Sequence, residues 1–199
     1  TLRAGDQYVA VQEDGTLCLS DKADLFVKED WGDGRINLRC ERTGKYVTTI
    51  SKGRRQSEEE DGALVAVKDA AFDWFVTAIF HIIPAENGAV RLTNRFDQPI
   101  QISKNKKLYS ALTGEGSSFL METVVDGFEE VQRLMQCAKT VILALGCHPM
   151  VNAKEEIDRT TLALPPHQEK LAKMICKIKP DAICVLFSNY PYTIHSVQN

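Results

Sequence analysis

A turn followed by a leucine returns three times in the first 125 residues, and few folds accept that period. Glu13-Asp14-Gly15-Thr16-Leu17 returns as Glu60-Asp61-Gly62-Ala63-Leu64, and more loosely as Lys104-Asn105-Lys106-Lys107-Leu108. The three leucines stand 47 and 44 residues apart. A second signal, Asp33-Gly34-Arg35-Ile36-Asn37-Leu38, returns as Asn87-Gly88-Ala89-Val90-Arg91-Leu92. Asp-Gly and Asn-Gly between alternating apolar residues are hairpin turns, because both dipeptides tolerate positive φ. Gly44-Lys45-Tyr46-Val47 matches Asp6-Gln7-Tyr8-Val9, with Gln98-Pro99-Ile100-Gln101 a looser third copy. Repeats of this length, each rich in hairpins, are single supersecondary units that bury their apolar faces only against one another.

Three such units predict a β-trefoil, a strand barrel capped by hairpins that leaves few free edges. Strand signals number eleven after residue 6, where a trefoil needs twelve. Leu2-Arg3-Ala4 aligns with Leu38-Arg39-Cys40, so the N-terminal residues are expected to supply the last strand of the third unit. A trefoil that begins and ends beside its own closure has the geometry of a domain inserted into a host. Residues 1–124 are therefore read as an all-β insertion domain. The Gly-Lys-Tyr-Val turn and the aspartate-glycine hairpin resemble those of fascin-like trefoils, and no Gln-x-Trp triplet of the ricin type occurs. Trp74, among Phe72, Phe75 and Phe80, reads as core, while Trp31 sits in a turn-rich stretch. The run from Lys52 to Asp61, basic and then acidic, reads as a solvated loop.

After residue 125 the period changes, which marks a domain boundary. Asp126 can cap a helix through Phe128, Val131, Leu134, Met135 and Ala138. Thr140 to Gly146 is a continuous apolar run, the pattern of a buried parallel strand. Pro165-Pro166 opens a second helix with Leu171, Met174, Ile175 and Ile178 on its inner face, and Ala182 to Phe187 is the next strand. Residues 125–199 are thus expected to form part of an α/β sandwich with parallel strands, too small to stand alone. The chain starts Thr-Leu-Arg-Ala without an initiator Met, which predicts a piece of a longer polypeptide.

Functional loops of open α/β sheets leave the carboxyl ends of the strands, here 147–164 and 188–195. The first holds Lys154, Glu155, Glu156, Asp158 and Arg159; the second holds Ser188-Asn189-Tyr190-Pro191-Tyr192. A net charge of −3 argues against nucleic acid or an anionic membrane as partner, and no apolar run reaches the ~20 residues of a spanning helix. The six cysteines (18, 40, 137, 147, 176, 184) form no Cys-x-x-Cys pair and read as free thiols of a cytoplasmic protein. The four histidines (81, 148, 167, 195) are scattered, so no metal and no cofactor is expected. No phosphate-cradling glycine loop follows Gly146, which excludes a nucleotide-binding reading.

Gly146-Cys147-His148-Pro149, Glu155-Glu156-Ile157-Asp158-Arg159 and Leu162-Ala163-Leu164-Pro165-Pro166-His167-Gln168, followed by Ser188-Asn189-Tyr190-Pro191-Tyr192, resemble the C-terminal domain of glycoside hydrolase family 3. The resemblance covers about residues 124 to 197. It implies retaining hydrolysis of β-glucosides or β-xylosides by two carboxyl groups. The nucleophile would lie in an N-terminal barrel of the same polypeptide, a stretch not seen in this chain. Glu155, three residues before the Asp-Arg pair, corresponds to the general acid/base, with Glu156 as second choice. Lys154, His148, Asp158 and Arg159 are candidate substrate-binding residues, Asp158 and Arg159 also serving to position the loop. Cys147 departs from the asparagine common at its position, and Tyr190 and Tyr192 read as packing residues beneath the loop. The rival reading is a non-catalytic carbohydrate- or protein-binding trefoil with an α/β companion.

Overall fold

A computed structural model describes residues 1–50, 62–72, 76–148, 151, 159, 161–188 and 191–195. The Lys52–Asp61 run and Trp74 lie outside them. The chain divides into two compact units, Thr1–Asp30 with Gly34–Thr123, and Trp31–Asp33 with Val124–Asn199.

The first unit contains twelve strands among the described residues: β1 (Leu2–Ala4), β2 (Gln7–Val11), β3 (Leu17–Ser20), β4 (Phe26–Gly32), β5 (Arg35–Cys40), β6 (Tyr46–Thr49), β7 (Leu64–Lys68), β8 (Phe80–Pro84), β9 (Val90–Asn94), β10 (Ile100–Ile102), β11 (Leu108–Ser110) and β12 (Ser118–Met121). Hydrogen-bonded neighbours run β3-β2-β1-β12-β9-β8-β5-β6-β7, with β4 on β5 and β10 on β11. The short N-terminal strand closes the assembly as its sequence alignment requires: Leu2 pairs with Met121, and Arg3 with Leu120. The hairpins β2–β3, β6–β7 and β10–β11 meet through bridges Thr16–Val65, Cys18–Lys107 and Ala63–Tyr109. The result is a trefoil-like antiparallel architecture.

The repeats explain its core. The turn-following leucines Leu17, Leu64 and Leu108 are all buried, as are Val9, Val47 and Ile100 one strand earlier in each repeat. Leu2, Leu38 and Leu92 form a further trio of equivalent positions, and all nine belong to one apolar cluster with Phe80 and Phe119. Burial of each such side chain contributes about 1.5–3 kcal/mol relative to exposure. Asp33-Gly34 and Asn87-Gly88 make the anticipated tight turns, with φ of 52° and 73°, and 55° and 74°. That backbone twist matches the flanking strands.

A polar staple crosses the first repeat. Asp24 is nearly buried, and its carboxylate accepts from Arg42 Nε and Nη2 (both 2.8 Å) and from the Val11 N–H (2.8 Å). Arg42 Nη2 also donates to Val11 O at 2.7 Å. The Arg42 guanidinium, and then the Val11 N–H, hold the Asp24 pKa below its usual value against the opposing effect of burial. A depressed folded pKa contributes stability that is present above the unfolded value of about 4 and is lost as pH falls through the folded one. Asp24→Asn is expected to cost about 2 kcal/mol at pH 7, with the difference from wild type shrinking below about pH 4. Urea unfolding across pH checks this; an equal difference at pH 7 and pH 2.5 would refute the staple.

The second unit contains α1 (Gly127–Met135), β13 (Ile142–Gly146), α2 (Pro166–Ile178) and β14 (Ile183–Phe187). Asp126 caps α1 by accepting from the N–H groups of Phe128 (2.7 Å) and Glu129 (3.3 Å), and the helix ends before Ala138. β13 and β14 pair in parallel from Ile142–Ile183 to Gly146–Phe187. Leu143, Leu145, Leu164, Met135, Ala172 and Ile175 form the core.

The strands are not buried on both faces, as their continuous apolar runs suggested. Ile142 and Phe187 are 66% and 65% exposed, while Leu143 and Leu145 are buried. Side chains alternate across a strand, and within this unit the described helices cover one face. Leu134 and Ile178 are likewise exposed, so the inner faces of the helices are narrower than their apolar spacing implies.

Candidate functional site

The carboxyl edge of β13 and β14 is held by three side chains, Gln168, Tyr192 and Arg159, through hydrogen bonds to backbone groups. Gln168 stands at the third position of α2, after the Pro165-Pro166 start, and its amide takes both polar groups of Gly146. The Gly146 N–H donates to Gln168 Oε1 (2.9 Å), and Gln168 Nε2 donates to Gly146 O (2.7 Å). A side-chain amide here imitates the next strand of a sheet, satisfying groups that would otherwise be orphaned at the strand end. The Leu-Pro-x-x-Gln segment therefore has a local reason. The prolines start the helix, and Gln168 then reaches back to the strand.

One residue on, the Cys147 N–H donates to Tyr192 Oη at 3.1 Å. The Tyr192 ring packs on the second-unit core. Burial, then the neighbouring Cys147, raises the phenol pKa, which keeps the hydroxyl neutral in the neutral range. The Arg159 guanidinium lies over this ring with its carbon 4.3 Å from the centroid. Its Nη2 donates to Thr161 O (2.9 Å) and Ala163 O (3.0 Å). Arg159 Nη1 is buried and takes no hydrogen bond among the described residues. A parallel bridge joins Ala163 to Thr193, and the Thr193 N–H donates to Leu162 O at 2.9 Å.

His148 follows directly and is half-buried; that burial lowers its pKa and favours the neutral imidazole near pH 7. Val151 is buried, and its N–H donates to His148 O at 3.0 Å. Of the residues singled out in sequence, His148 and Arg159 thus stand at this edge, linked through Tyr192 and Cys147. Glu155, Glu156, Lys154 and Asp158 lie outside the described residues, as does Tyr190. Two features went unrecognised in sequence, the Gln168–Gly146 clamp and the hydrogen bond from Cys147 to Tyr192. In sequence Gln168 is marked only by its position three residues after Pro165, at the start of the helix. The Cys147 contact uses the backbone N–H, so its side-chain type gave none.

Among the described residues no group of three or more His, Cys, Asp or Glu converges on a metal-sized site, and no helix is long and apolar enough to cross a membrane. All six cysteines are unpaired.

The model of the glycosyl hydrolase family 3 C-terminal domain matches residues 12–199. No curated protein matches the chain. Among solved structures, the designed threefold-symmetric protein ThreeFoil is 13% identical with a TM-score of 0.44, over 56% of this chain and 84% of that one. A GlcNAcα1-4Gal-releasing endo-β-galactosidase from Clostridium perfringens is 19% identical with a TM-score of 0.48, over 62% of this chain. The match spans 32% of that enzyme's length.

Proposed function

The chain belongs to the glycosyl hydrolase family 3 C-terminal domain family, and we propose that it supplies the general acid/base loop of a retaining β-glycosidase. The observation that carries this reading is the family match over residues 12–199, which includes the Glu155-Glu156-Ile157-Asp158-Arg159 segment. The segment runs between Val151 and Arg159, and Arg159 is fastened at the carboxyl edge of the parallel strands. That edge is where α/β sheets present reacting groups.

In the proposed reaction a carboxylate from a separate barrel domain attacks the anomeric carbon while Glu155 protonates the departing glycosidic oxygen. The glycosyl–carboxylate ester then reacts with water, from which Glu155 takes the proton, restoring both carboxyl groups. Glu155 alternates between acid and base, so its pKa must be raised in the assembled site, by desolvation or by the nearby nucleophile. His148 and Lys154 are read as partners of sugar hydroxyls. The trefoil-like unit is read as an insertion of about residues 1–124 into the host domain, with fascin-like turns. Six free thiols favour a reducing, cytoplasmic setting.

The chain alone lacks the second carboxyl group on this reading. No turnover of aryl β-glucosides or β-xylosides is expected from the chain alone, and retaining hydrolysis is expected when it is joined to a family 3 barrel. Glu155-dependent turnover by the chain alone would overturn the division of labour.

A further inference from the structure

We propose that Arg159 and Tyr192 are positioning residues that hold the approach to α2 against the turn after β13. The inference rests on the reading of Glu155 as acid/base and adds what holds Arg159, four residues further along the chain.

Three stretches leave the sheet edge: the turn after β13, the approach to α2, and the stretch after β14. One guanidinium and one phenol tie all three. Arg159 Nη2 donates to the carbonyls of Thr161 (2.9 Å) and Ala163 (3.0 Å), which ties its guanidinium to the approach to α2. The guanidinium lies against the Tyr192 ring at 4.3 Å. Tyr192 Oη accepts the Cys147 N–H at 3.1 Å, so the ring is pinned to the start of the loop. The Ala163–Thr193 bridge holds that approach to the chain beyond β14. Near the departing end, the Val151 N–H donates to His148 O, and the Val151 side chain is buried. Val151 and Arg159, the described residues on either side of 152–158, are therefore both held at this edge.

This geometry separates positioning from sugar binding for Arg159. Its Nη2 is engaged by two carbonyls, its face by an aromatic ring, and its Nη1 is buried. A planar fork suits that arrangement, whereas a lysine ammonium cannot span both carbonyls while lying flat on the ring. A general acid misplaced by an ångström loses much of its rate advantage, so rigid support of the loop acts on the chemical step rather than on substrate affinity.

The test compares Arg159→Lys, Tyr192→Phe and Glu155→Gln, in the polypeptide that joins this chain to its barrel and in this chain alone. In the joined enzyme Arg159→Lys is expected to lower kcat at least tenfold with KM within twofold, and to shift the basic limb of the pH–rate profile. Tyr192→Phe, which keeps the ring and loses only the hydroxyl contact, should lower kcat several-fold in the same pattern. In the chain alone, amide exchange at Cys147, Ala163 and Thr193 should accelerate at least tenfold in both variants, while the trefoil-like unit exchanges as in wild type. Wild-type kcat and pH profile in Arg159→Lys, beside an inactive Glu155→Gln, would overturn the proposal. So would a rise in KM at constant kcat, which would make Arg159 a sugar ligand, or unchanged amide exchange in the chain alone. Full activity in Glu155→Gln would instead sink the acid/base reading, and amide exchange would still decide whether Arg159 and Tyr192 hold the turn.

Discussion

Glu155→Gln in the assembled enzyme is expected to lower kcat on unactivated β-glycosides by about 10²- to 10⁴-fold, the usual contribution of a positioned general acid. Glutamine keeps the size and polarity of the side chain and loses only the transferable proton. An alkoxide leaving group needs that proton. A dinitrophenolate does not, so the glycosylation step with such a substrate should be nearly spared. The second step should then limit turnover, because no base remains to activate water, and azide should restore turnover by attacking the glycosyl intermediate as an anion. The pH dependence follows from the same chemistry. The first step requires protonated Glu155, so wild-type activity should fall as pH rises and that carboxyl ionises, and Glu155→Gln should lose that limb. Glu156→Gln is the control, expected within a few-fold of wild type across pH. The reverse pattern, Glu156→Gln crippled and azide-rescued with Glu155→Gln active, would move the acid/base role by one residue.

The first unit was legible because its signals are local and repeated. Asp33-Gly34 and Asn87-Gly88 dictate turns by their own backbone preferences, and three copies of one leucine position reveal equivalent strands. Even the closing strand Leu2–Ala4, only three residues long, could be located because Leu38-Arg39-Cys40 gave its template. The second unit shows where such reading stops. Apolar runs gave the strands and their parallel order, yet Ile142 and Phe187 are exposed, since burial depends on which layers lie over a face. The site divides in the same way. Carboxylates proposed for proton transfer stand out by type and motif, whereas residues that hold backbone do not. Tyr192 binds an N–H that every non-proline residue possesses, and Gln168 binds a glycine with no side chain to mark it.

Gly146→Ala should be the most damaging single-methyl change in the second unit. A Cβ at Gly146 would stand 2.4 Å from Phe187 O and 3.3 Å from both the carbonyl carbon and Cβ of Phe187. The obstructing atom is backbone in the paired strand, so no rotamer change relieves it. The two strands must part at the end of their ladder, where Gly146 faces Phe187. Moving Gly146 also breaks the two hydrogen bonds of Gln168, which are the grip on this strand end. Overpacking together with two lost hydrogen bonds amounts to about 3 kcal/mol. Gly127→Ala is the matched control. Nothing lies within 4 Å of a Cβ there, and the residue begins α1, so alanine should be neutral or slightly stabilising. Amide exchange at Leu145 and Leu186 reads the second unit separately from the first. A Gly146→Ala protein whose exchange matches wild type there would show that the strand end yields freely, and that the Gln168 clamp does not hold it. If the clamp does hold it, the displaced Cys147–His148 turn carries the damage onward to the loop, and kcat of the joined enzyme should fall at temperatures well below unfolding.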